Sequence, residues 1–329
     1  MRLRSFTTFQ PKTLKEALSL RNKYKEKAFL KAGGTSLIPE MRLGLKKPDY
    51  LILLDSVQEI RGIEDKADGL HIGAMASLQE IKKAKLNVHK SAVVANLYGP
   101  LAEAIEAVSA PSMHYQSTIA GNICQDTRCI YYDQSEFWRA IKGRCFKQGG
   151  DKCHAVPAGK SCHSVYQGDL APVLICMDAK ICVSSPKKTE IVDIADLFSG
   201  NGISPLKLKP NAIITEIIIP HPGTKKIAYE KLSERGALDY PLVGVAAFVK
   251  MRRGFVEENG FVVTSIGPAP LIVTEPLLNG RRLDEDFILQ AAEAVFKKAK
   301  PVANTSAAPA YRRQMVKTLV GKVLRRLLS

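Results

Sequence analysis

The sequence lacks the long apolar runs of membrane-spanning and secreted proteins. No stretch of its 329 residues approaches the ~18 uninterrupted apolar residues that identify a membrane-spanning helix. The first segment, MRLRSFTTFQPKTLKEAL, carries two arginines but no apolar stretch typical of a signal peptide, and Pro11 interrupts it early. We therefore expect a cytoplasmic protein without a membrane span.

Motifs of nucleic-acid recognition are also missing, although the chain is strongly basic. It has 48 Lys and Arg against 32 Asp and Glu, which gives a formal net charge of +16. Such a charge suits nucleic acids, anionic membranes and acidic proteins alike, and it cannot choose among them. Because no helix-turn-helix, RNA-binding aromatic motif or zinc-finger spacing accompanies the charge, we predict no nucleic-acid partner.

The length and the apolar content favour two globular domains. Of the residues, 46% are hydrophobic and 24% are charged, which is ordinary for a globular protein. A helical pattern over residues 13–24 and an apolar run at 50–54 predict a small α/β unit. A second unit follows, in which Ser77 and Glu80 form an S-x-x-E capping box. The later apolar run LAPVLICM, at 170–177, is interpreted as a strand.

A change of pattern near residues 220–223 (PHPG) predicts a domain boundary. Beyond it, the strand-like runs LVGVAAFVKM and GFVVTSI precede two helices, which predicts a small α+β domain. The second of these helices, within residues 311–329, is basic, and its apolar residues recur at every fourth position. We expect that apolar face to pack on the domain and the cations to face solvent or an acidic partner.

Two short glycine-containing segments are candidate phosphate-binding loops. They are the segments KAGGTS at 31–36 and STIAGN at 117–122. Their small residues let backbone N–H groups approach an anion closely, and their hydroxyls can donate hydrogen bonds. Neither segment has the G-x-G-x-x-G or G-x-x-x-x-G-K-[ST] pattern, so from the residues alone each can equally be a plain turn.

Several motifs follow one another along essentially the whole chain. They are FLKAGGTSLIPEMRLG, HIGAMASLQEI, SAPSMHYQSTIAGNI, GDLAPVL, AIITEIIIP, YEKLSERGALDYPLVGVAA and AYRRQMVKTLV. In this order they resemble the FAD-binding subunits of the xanthine dehydrogenase / carbon monoxide dehydrogenase family of molybdenum hydroxylases. The resemblance implies an α+β fold with a two-part FAD-binding domain of the vanillyl-alcohol-oxidase (PCMH-like) type at 1–222. A C-terminal α+β domain would occupy residues 223–329.

The resemblance also implies FAD as a cofactor and assigns residues to it. The two glycine segments would wrap the pyrophosphate and the ribityl chain. Asp169 would accept hydrogen bonds from flavin hydroxyls or ring nitrogens, and Lys231 would reach the flavin from the C-terminal domain. The implied FAD-binding residues are Lys31, Ala32, Gly33, Gly34, Thr35, Ser36, Leu37, Thr118, Ala120, Gly121, Asn122, Asp169 and Lys231. The chain departs from the family at Ala120, where glycine is usual, and at His114-Tyr115, where Arg-Asn is usual.

Residues 125–165 differ from the sequence around them and contain four of the seven cysteines, Cys129, Cys145, Cys153 and Cys162. A long segment without a regular pattern is uncommon inside a compact domain unless it has a function or a cross-link. Four converging thiolates suit a [4Fe–4S] cluster or a structural zinc, whereas the cytoplasm disfavours disulfides. The spacing C-x15-C-x7-C-x8-C contains no C-x-x-C pair. An iron–sulfur cluster, zinc and unliganded thiols therefore all remain open.

Within the family, this segment resembles the flavoprotein subunits of the 4-hydroxybenzoyl-CoA reductases, which carry an extra [4Fe–4S] cluster. Asn122 and Asp169 are 47 residues apart (169 − 122). The two motifs are usually about nine apart, so roughly 38 residues form an additional loop. We name residues 124–166 the insert. The resemblance implies Cys129, Cys145, Cys153 and Cys162 as cluster ligands and places Cys124 beside the flavin loop. His154 and His163, which each follow a ligand cysteine, are expected beside the cluster or at the surface, with ligation as the alternative.

The resemblance implies a function in electron transfer. Electrons from a ferredoxin-like donor would pass through the FAD and [4Fe–4S] subunit and a [2Fe–2S] small subunit to a molybdopterin-containing large subunit. There an aromatic acyl-CoA would be reductively dehydroxylated, and this chain itself would need no catalytic base or nucleophile. One alternative is a xanthine- or aldehyde-dehydrogenase-like hydroxylase that passes electrons to NAD. Another is a zinc-stabilised interaction subunit without redox activity.

Overall fold

The computed structural model describes residues 3–84, 92–221, 223–236 and 239–328. The strands in these ranges form three sheets, and each sheet comes from a successive part of the chain. Helices alternate with strands only in the first unit, whereas the two larger sheets are antiparallel and their helices are grouped apart from the strands. The α+β architecture predicted from the sequence is therefore confirmed.

The N-terminal unit is a three-stranded parallel sheet flanked by helices. Its elements are β1 (Thr7–Phe9), α1 (Leu14–Tyr24), β2 (Ala28–Lys31), α2 (Leu37–Arg42) and β3 (Tyr50–Leu53), with strand order β1-β3-β2. Thr13 caps α1, because its hydroxyl accepts a hydrogen bond of 3.2 Å from the N–H of Glu16. The predicted helix at 13–24 and strand at 50–54 are confirmed. The first glycine segment follows the carboxyl end of β2 and leads into α2.

The middle unit is a five-stranded antiparallel sheet with order β4-β5-β8-β6-β7. Its elements are β4 (Ile63–Lys66), β5 (Gly69–Gly73), α3 (Leu78–Lys83), α4 (Ala92–Ala107), α5 (Ile119–Ile123), α6 (Glu136–Lys142), α7 (Leu170–Cys176), β6 (Lys180–Ser184), β7 (Thr189–Asp193) and β8 (Ile213–Ile219). The predicted capping box is confirmed: Ser77 and Glu80 each accept a hydrogen bond from the other's backbone N–H at the start of α3.

The apolar run at 170–177 is the helix α7, so its interpretation as a strand was wrong. Every residue of α7 except Ile175 is buried, because the helix packs against α4 and against the C-terminal sheet. A helix that is buried on all sides has a continuous apolar sequence, and periodicity cannot distinguish such a helix from a buried strand.

The C-terminal unit is a four-stranded antiparallel sheet covered on one face by two helices. Its elements are β9 (Lys225–Leu232), β10 (Val243–Arg252), β11 (Phe255–Thr264), β12 (Leu271–Val273), α8 (Glu285–Lys298) and α9 (Pro309–Leu328). Leu319, Val323 and Leu327 of α9 are buried against the sheet and α8, which confirms the predicted packing face.

The other face of the C-terminal sheet packs on the middle unit. Tyr229, Ala246 and Val262 share one hydrophobic core with α4, α5 and α7. Pro222, within the predicted boundary, lies outside the described residues, so the division at 222/223 stays a prediction. None of the helices in the described ranges combines the length and the apolarity that a bilayer crossing needs.

Candidate functional site

Two adjoining cavities of about 390 and 320 Å³ lie where the three units meet. Both are lined by Thr35, Ser36, Gly121 and Gln125, and we name them together the groove. The first cavity runs along the first glycine segment, and the second runs toward the C-terminal unit. Two cavities that share lining residues suit a ligand with two connected parts, such as a dinucleotide.

The two glycine segments touch each other through their backbones. A Cβ atom on Gly33 would lie 1.7 Å from the carbonyl oxygen of Gln116, so only glycine fits at this position. Gly34 has a φ of +76°, a conformation that also favours glycine. The hydroxyls of Ser117 and Thr35 lie 3.4 Å apart across the contact. These glycines therefore allow the two loops to line one groove.

The second glycine segment is held in place by a cap and a tether. Thr118 caps α5 by accepting a hydrogen bond of 3.1 Å from the N–H of Gly121. Asn122 Oδ1 accepts a hydrogen bond of 3.3 Å from the N–H of Leu170, the first residue of α7. This tether fixes Asp169, which precedes Leu170, beside the segment despite the long insert between them.

The first glycine segment offers backbone donors to a ligand. No acceptor within the described ranges binds the N–H groups of Gly34, Thr35 and Ser36, which border the groove. The Thr35 and Ser36 hydroxyls and the ammonium of Lys46 line the same cavity. Consecutive free N–H groups with a nearby cation form an anion-binding concavity. The donor set therefore fits the diphosphate of a dinucleotide.

Asp169 is a buried carboxylate at the other end of the groove. The Tyr229 hydroxyl donates to Asp169 Oδ1 at 2.8 Å, and Lys231 Nζ lies 3.2 Å from the same oxygen. Lys231 also donates to the carbonyl oxygens of Ala107 and Asp239, at 2.7 and 2.9 Å. Burial raises the pKa of Asp169 to about 6, against the opposing effects of Lys231 and Tyr229. Asp169 is thus mostly ionised at neutral pH and can accept hydrogen bonds from a ligand.

Most of the residues that the resemblance assigned to FAD line the groove. They are Ala32, Gly33, Gly34, Thr35, Ser36, Leu37, Thr118, Gly121, Asn122 and Asp169. The other three do not line it. The amine of Lys31 binds Asp55 at 3.0 Å, and the side chain of Ala120 packs on the hydrophobic core. Lys231 forms an ion pair with Asp169 but does not itself line the groove.

Several other polar residues line the groove that sequence reasoning did not single out. They are Glu40, Lys46, Gln125 and Asp126 in the first cavity, and Gln167, Arg235, Asp239 and Tyr240 in the second. Burial raises the pKa of Glu40 to about 6. A signal existed for some of them, because Gln125 and Asp126 directly follow the second glycine segment. Glu40 lies on α2 just after the first glycine segment, whereas Lys46 reaches the groove because the segment after α2 folds against the insert.

The four cysteines implied as cluster ligands all line one small cavity inside the insert. Cys129, Cys145, Cys153 and Cys162 surround it, and we name it the cysteine cavity. Its other lining residues are Tyr131, Tyr132, Phe146, Lys147, Lys152, His154, His163 and Ser164. Burial raises the pKa of Cys129 to about 12, and the nearby thiols of Cys153 and Cys162 add to this effect. A bound cation would favour the anionic form of the Cys129 thiol.

The cysteine cavity does not have the arrangement of a single-ion site. Within the described ranges, no three His, Cys, Asp or Glu side chains gather closely enough to hold one metal ion. A zinc site needs four ligands at about 2.0–2.3 Å from one point. In a [4Fe–4S] cluster each cysteine binds a different iron, so its ligands surround a larger group. The donor set fits such a cluster, which stays a prediction.

The remaining insert residues of interest lie near their expected positions. Cys124 lines the groove instead of the cysteine cavity, and burial raises its pKa to about 12. His154 and His163 both line the cysteine cavity, and a ring nitrogen of His154 lies 3.0 Å from the carbonyl oxygen of Gly143. Arg139 of α6 is buried and donates to the carbonyl oxygens of Leu43 and Gly44, which anchors the insert to the N-terminal unit.

Comparisons with known proteins identify the family. A family model described as the FAD binding domain in molybdopterin dehydrogenase matches residues 4–222. A second model, the CO dehydrogenase flavoprotein C-terminal domain, matches residues 227–327. The chain is 29% identical over 228 residues to the aldehyde oxidoreductase FAD-binding subunit PaoB of Escherichia coli (strain K12), covering 67% of this chain and 70% of that protein.

Relatives of similar length match over almost the whole chain. The carbon monoxide dehydrogenase medium chain of Afipia carboxidovorans is 24% identical, over 98% of this chain and 96% of that protein. A solved carbon monoxide dehydrogenase from Hydrogenophaga pseudoflava shares the fold, with a TM-score of 0.78 at 23% identity over 99% and 98% of the two chains. FAD is therefore the cofactor, and the chain belongs to the FAD-binding flavoprotein subunits of the molybdenum hydroxylase family of oxidoreductases.

Proposed function

We propose that this chain is the FAD- and [4Fe–4S]-containing electron-transfer subunit of a molybdenum enzyme resembling 4-hydroxybenzoyl-CoA reductase. The observation that carries the proposal is the convergence of Cys129, Cys145, Cys153 and Cys162 on one cavity within the insert. These cysteines are up to 33 residues apart (162 − 129) in a mostly irregular segment. Ligation of a cluster gives a reason for such convergence and stabilises a loop with little hydrophobic core.

The residues of the groove would hold FAD in a defined orientation. The free N–H groups of Gly34, Thr35 and Ser36 would bind the diphosphate, and Thr118 and Gly121 would pack along it. Asp169 would accept hydrogen bonds from flavin hydroxyls or ring nitrogens, while Lys231 and Tyr229 hold its carboxylate in place. FAD, when bound, supplies electron transfer in steps of one or two electrons. The division into domains 1–222 and 223–329 belongs to this proposal.

The insert would receive electrons one at a time from a ferredoxin-like donor. On α6, Phe137 and Ile141 are 77% and 72% exposed and lie one helical turn apart. Lys142, Arg144 and Lys152 are exposed nearby, and none has a carboxylate partner in the described part of the chain. An apolar centre with a cationic rim suits an acidic protein partner.

The other partners would be a molybdopterin-containing large subunit and a [2Fe–2S] small subunit in the cytoplasm. Electrons would pass through the small subunit to the large one, where an aromatic acyl-CoA loses its ring hydroxyl. Relatives named as a medium chain, a FAD-subunit or a complex subunit support an assembly of several chains. This chain supplies no base or nucleophile, and its residues bind, orient and insulate the redox groups.

Serine substitutions in the anaerobically isolated protein test the cluster assignment. We expect Cys129→Ser, Cys145→Ser, Cys153→Ser and Cys162→Ser each to lose most of the iron and its visible absorption while keeping FAD. The matched control is Cys182→Ser, because Cys182 lies on β6 outside the insert. Retention of iron in all four variants would overturn the assignment.

A second candidate function keeps FAD but passes electrons to NAD. The observation in its favour is that several relatives are dehydrogenase subunits, including glyceraldehyde dehydrogenase and carbon monoxide dehydrogenase chains. Reduction of the bound flavin distinguishes the candidates. Rapid bleaching by NADH supports the NAD-linked enzyme, whereas bleaching by reduced ferredoxin and not by NADH supports the proposed reductase.

A further inference from the structure

Three charged side chains form a line between the groove and the cysteine cavity. Lys46 and Asp126 line the groove, and Lys147 lines the cysteine cavity. Lys46 Nζ donates to Asp126 Oδ2 at 2.5 Å, and Lys147 Nζ donates to Asp126 Oδ1 at 2.8 Å. We name Lys46, Asp126 and Lys147 the charge bridge. It connects the FAD site directly to the proposed cluster site.

The bridge continues from Lys147 to a cysteine. Lys147 Nζ also donates to the carbonyl and hydroxyl oxygens of Thr127, at 2.7 and 2.6 Å. The Thr127 hydroxyl lies 2.7 Å from the hydroxyl of Ser164, and Ser164 Oγ lies 3.2 Å from Cys162 Sγ. A hydrogen-bonded path therefore runs without a gap from Asp126 in the groove to a sulfur of the cysteine cavity.

The burial of these charges distinguishes them from an ordinary surface ion pair. The side chain of Lys147 is 4% exposed and that of Asp126 is 16% exposed. All three N–H donors of Lys147 are used, so its orientation is fixed. Charges that are held in place away from solvent act strongly on their neighbours, because water and salt screen them little.

We propose that the charge bridge sets the reduction potential of the centre in the cysteine cavity and couples this potential to the cofactor in the groove. The inference rests on the proposed cluster. Reduction adds one negative charge to a cluster, so a fixed cation beside it favours the reduced state and a fixed anion disfavours it. Hydrogen bonds to the cysteine sulfurs act in the same direction as a cation. Lys46 extends the effect to the groove because it shares Asp126 with Lys147.

Two variants of opposite sign test the proposal by redox titration of the anaerobic, FAD-loaded protein. We expect Lys147→Met to lower the cluster potential and Asp126→Asn to raise it. Each shift should reach about a tenfold change in the reduction equilibrium, which is 59 mV for a one-electron couple. The control, Lys160→Met, removes an exposed cation of the insert and should leave the potential unchanged.

Lys46→Met tests the coupling between the groove and the cysteine cavity. We expect this variant to lower both the FAD affinity and the cluster potential. The outcomes separate this inference from the proposed function. Wild-type protein without iron would overturn the proposed cluster. Protein that holds iron, but in which Lys147→Met and Asp126→Asn shift the potential in the same direction or not at all, would overturn the role of the bridge. A purely structural role predicts no such pair of opposite shifts.

Discussion

At the scale of single residues, Gly33 marks the point where two backbones leave no room for a side chain. We expect Gly33→Ala to weaken FAD binding at least about tenfold, or 1.4 kcal/mol, because its Cβ would meet the Gln116 carbonyl oxygen and force the glycine segments apart. Fluorescence titration with FAD measures the affinity. The control is Gly99→Ala in α4, where no atom lies within 4 Å of the added Cβ and alanine favours the helix. Unchanged affinity in Gly33→Ala would contradict the groove assignment.

The raised pKa of Asp169 predicts that a lower pH weakens FAD binding but stabilises the fold of the unliganded protein. As the pH falls through about 6, Asp169 takes up a proton and becomes a poorer acceptor, so FAD affinity should fall between pH 7 and 5. The folded pKa is above the usual value of 3.8, so ionisation costs stability when the pH rises from about 4 to 6. This cost is about 2–3 kcal/mol in the unliganded protein.

Asp169→Asn isolates both effects, because asparagine does not titrate. In this variant, we expect weaker FAD binding and a loss of most of the pH dependence of affinity between pH 5 and 7. Urea unfolding of the variant and the wild type at pH 4.5 and 6.5 measures how much Asp169 contributes to the pH dependence of the free energy of unfolding. A wild-type FAD affinity that does not change between pH 7 and 5 would show that Asp169 does not contact the cofactor.

The sequence alone identified the key residues of the groove but not the side chains that contact them. The family motif singled out Asp169 and Lys231, and the structure pairs them. Tyr229, the other partner of Asp169, is 60 residues away in sequence and opens the motif YEKLSERGALDYPLVGVAA, but the motif assigned no role to it. Which side chain meets a buried carboxylate depends on how the C-terminal sheet packs on α7, and local pattern does not encode that packing.

At the scale of elements, α9 fastens the C-terminal unit through a buried arginine. Arg312 is fully buried and donates to the carbonyl oxygens of Leu242, Val302 and Ser265 and to Asn304 Oδ1. We expect Arg312→Met to lower the free energy of unfolding by about 3 kcal/mol or more, because it leaves buried acceptors without donors. Urea denaturation measures the change. Arg325→Ala, which removes an exposed cation from the same helix, should have little effect, and an equal loss in both would refute the argument.

Elements with one apolar face were predictable, and elements without such a face were not. The helix α1, the strand β3 and the packing face of α9 follow their apolar patterns. The pattern failed for α7, which is buried all round, and gave no signal for α6, which turns Phe137 and Ile141 toward solvent. The helix α7 follows Asp169 of the groove directly, and α6 lies within the insert. For both helices, contacts with other parts of the protein decide which face is apolar.

At the scale of the whole molecule, the groove forms only when the three units pack together, and the cysteine cavity forms only when the insert folds. The groove takes residues from all three units, and the charge bridge joins residues 46, 126 and 147. The motifs predicted the cofactor and the family because they record local backbone geometry. They could not predict that the insert folds against residues 43–47 and that the charge bridge connects its cysteine cavity to the groove.

The most direct test of this account is the iron, acid-labile sulfide and flavin content of the anaerobically isolated chain, combined with electron paramagnetic resonance after reduction. We predict about four irons and four sulfides with one FAD per chain, and a signal of a reduced [4Fe–4S] cluster. Flavin-containing protein that lacks iron, or that carries zinc in the cysteine cavity, would contradict the central claim that the insert holds a second redox centre.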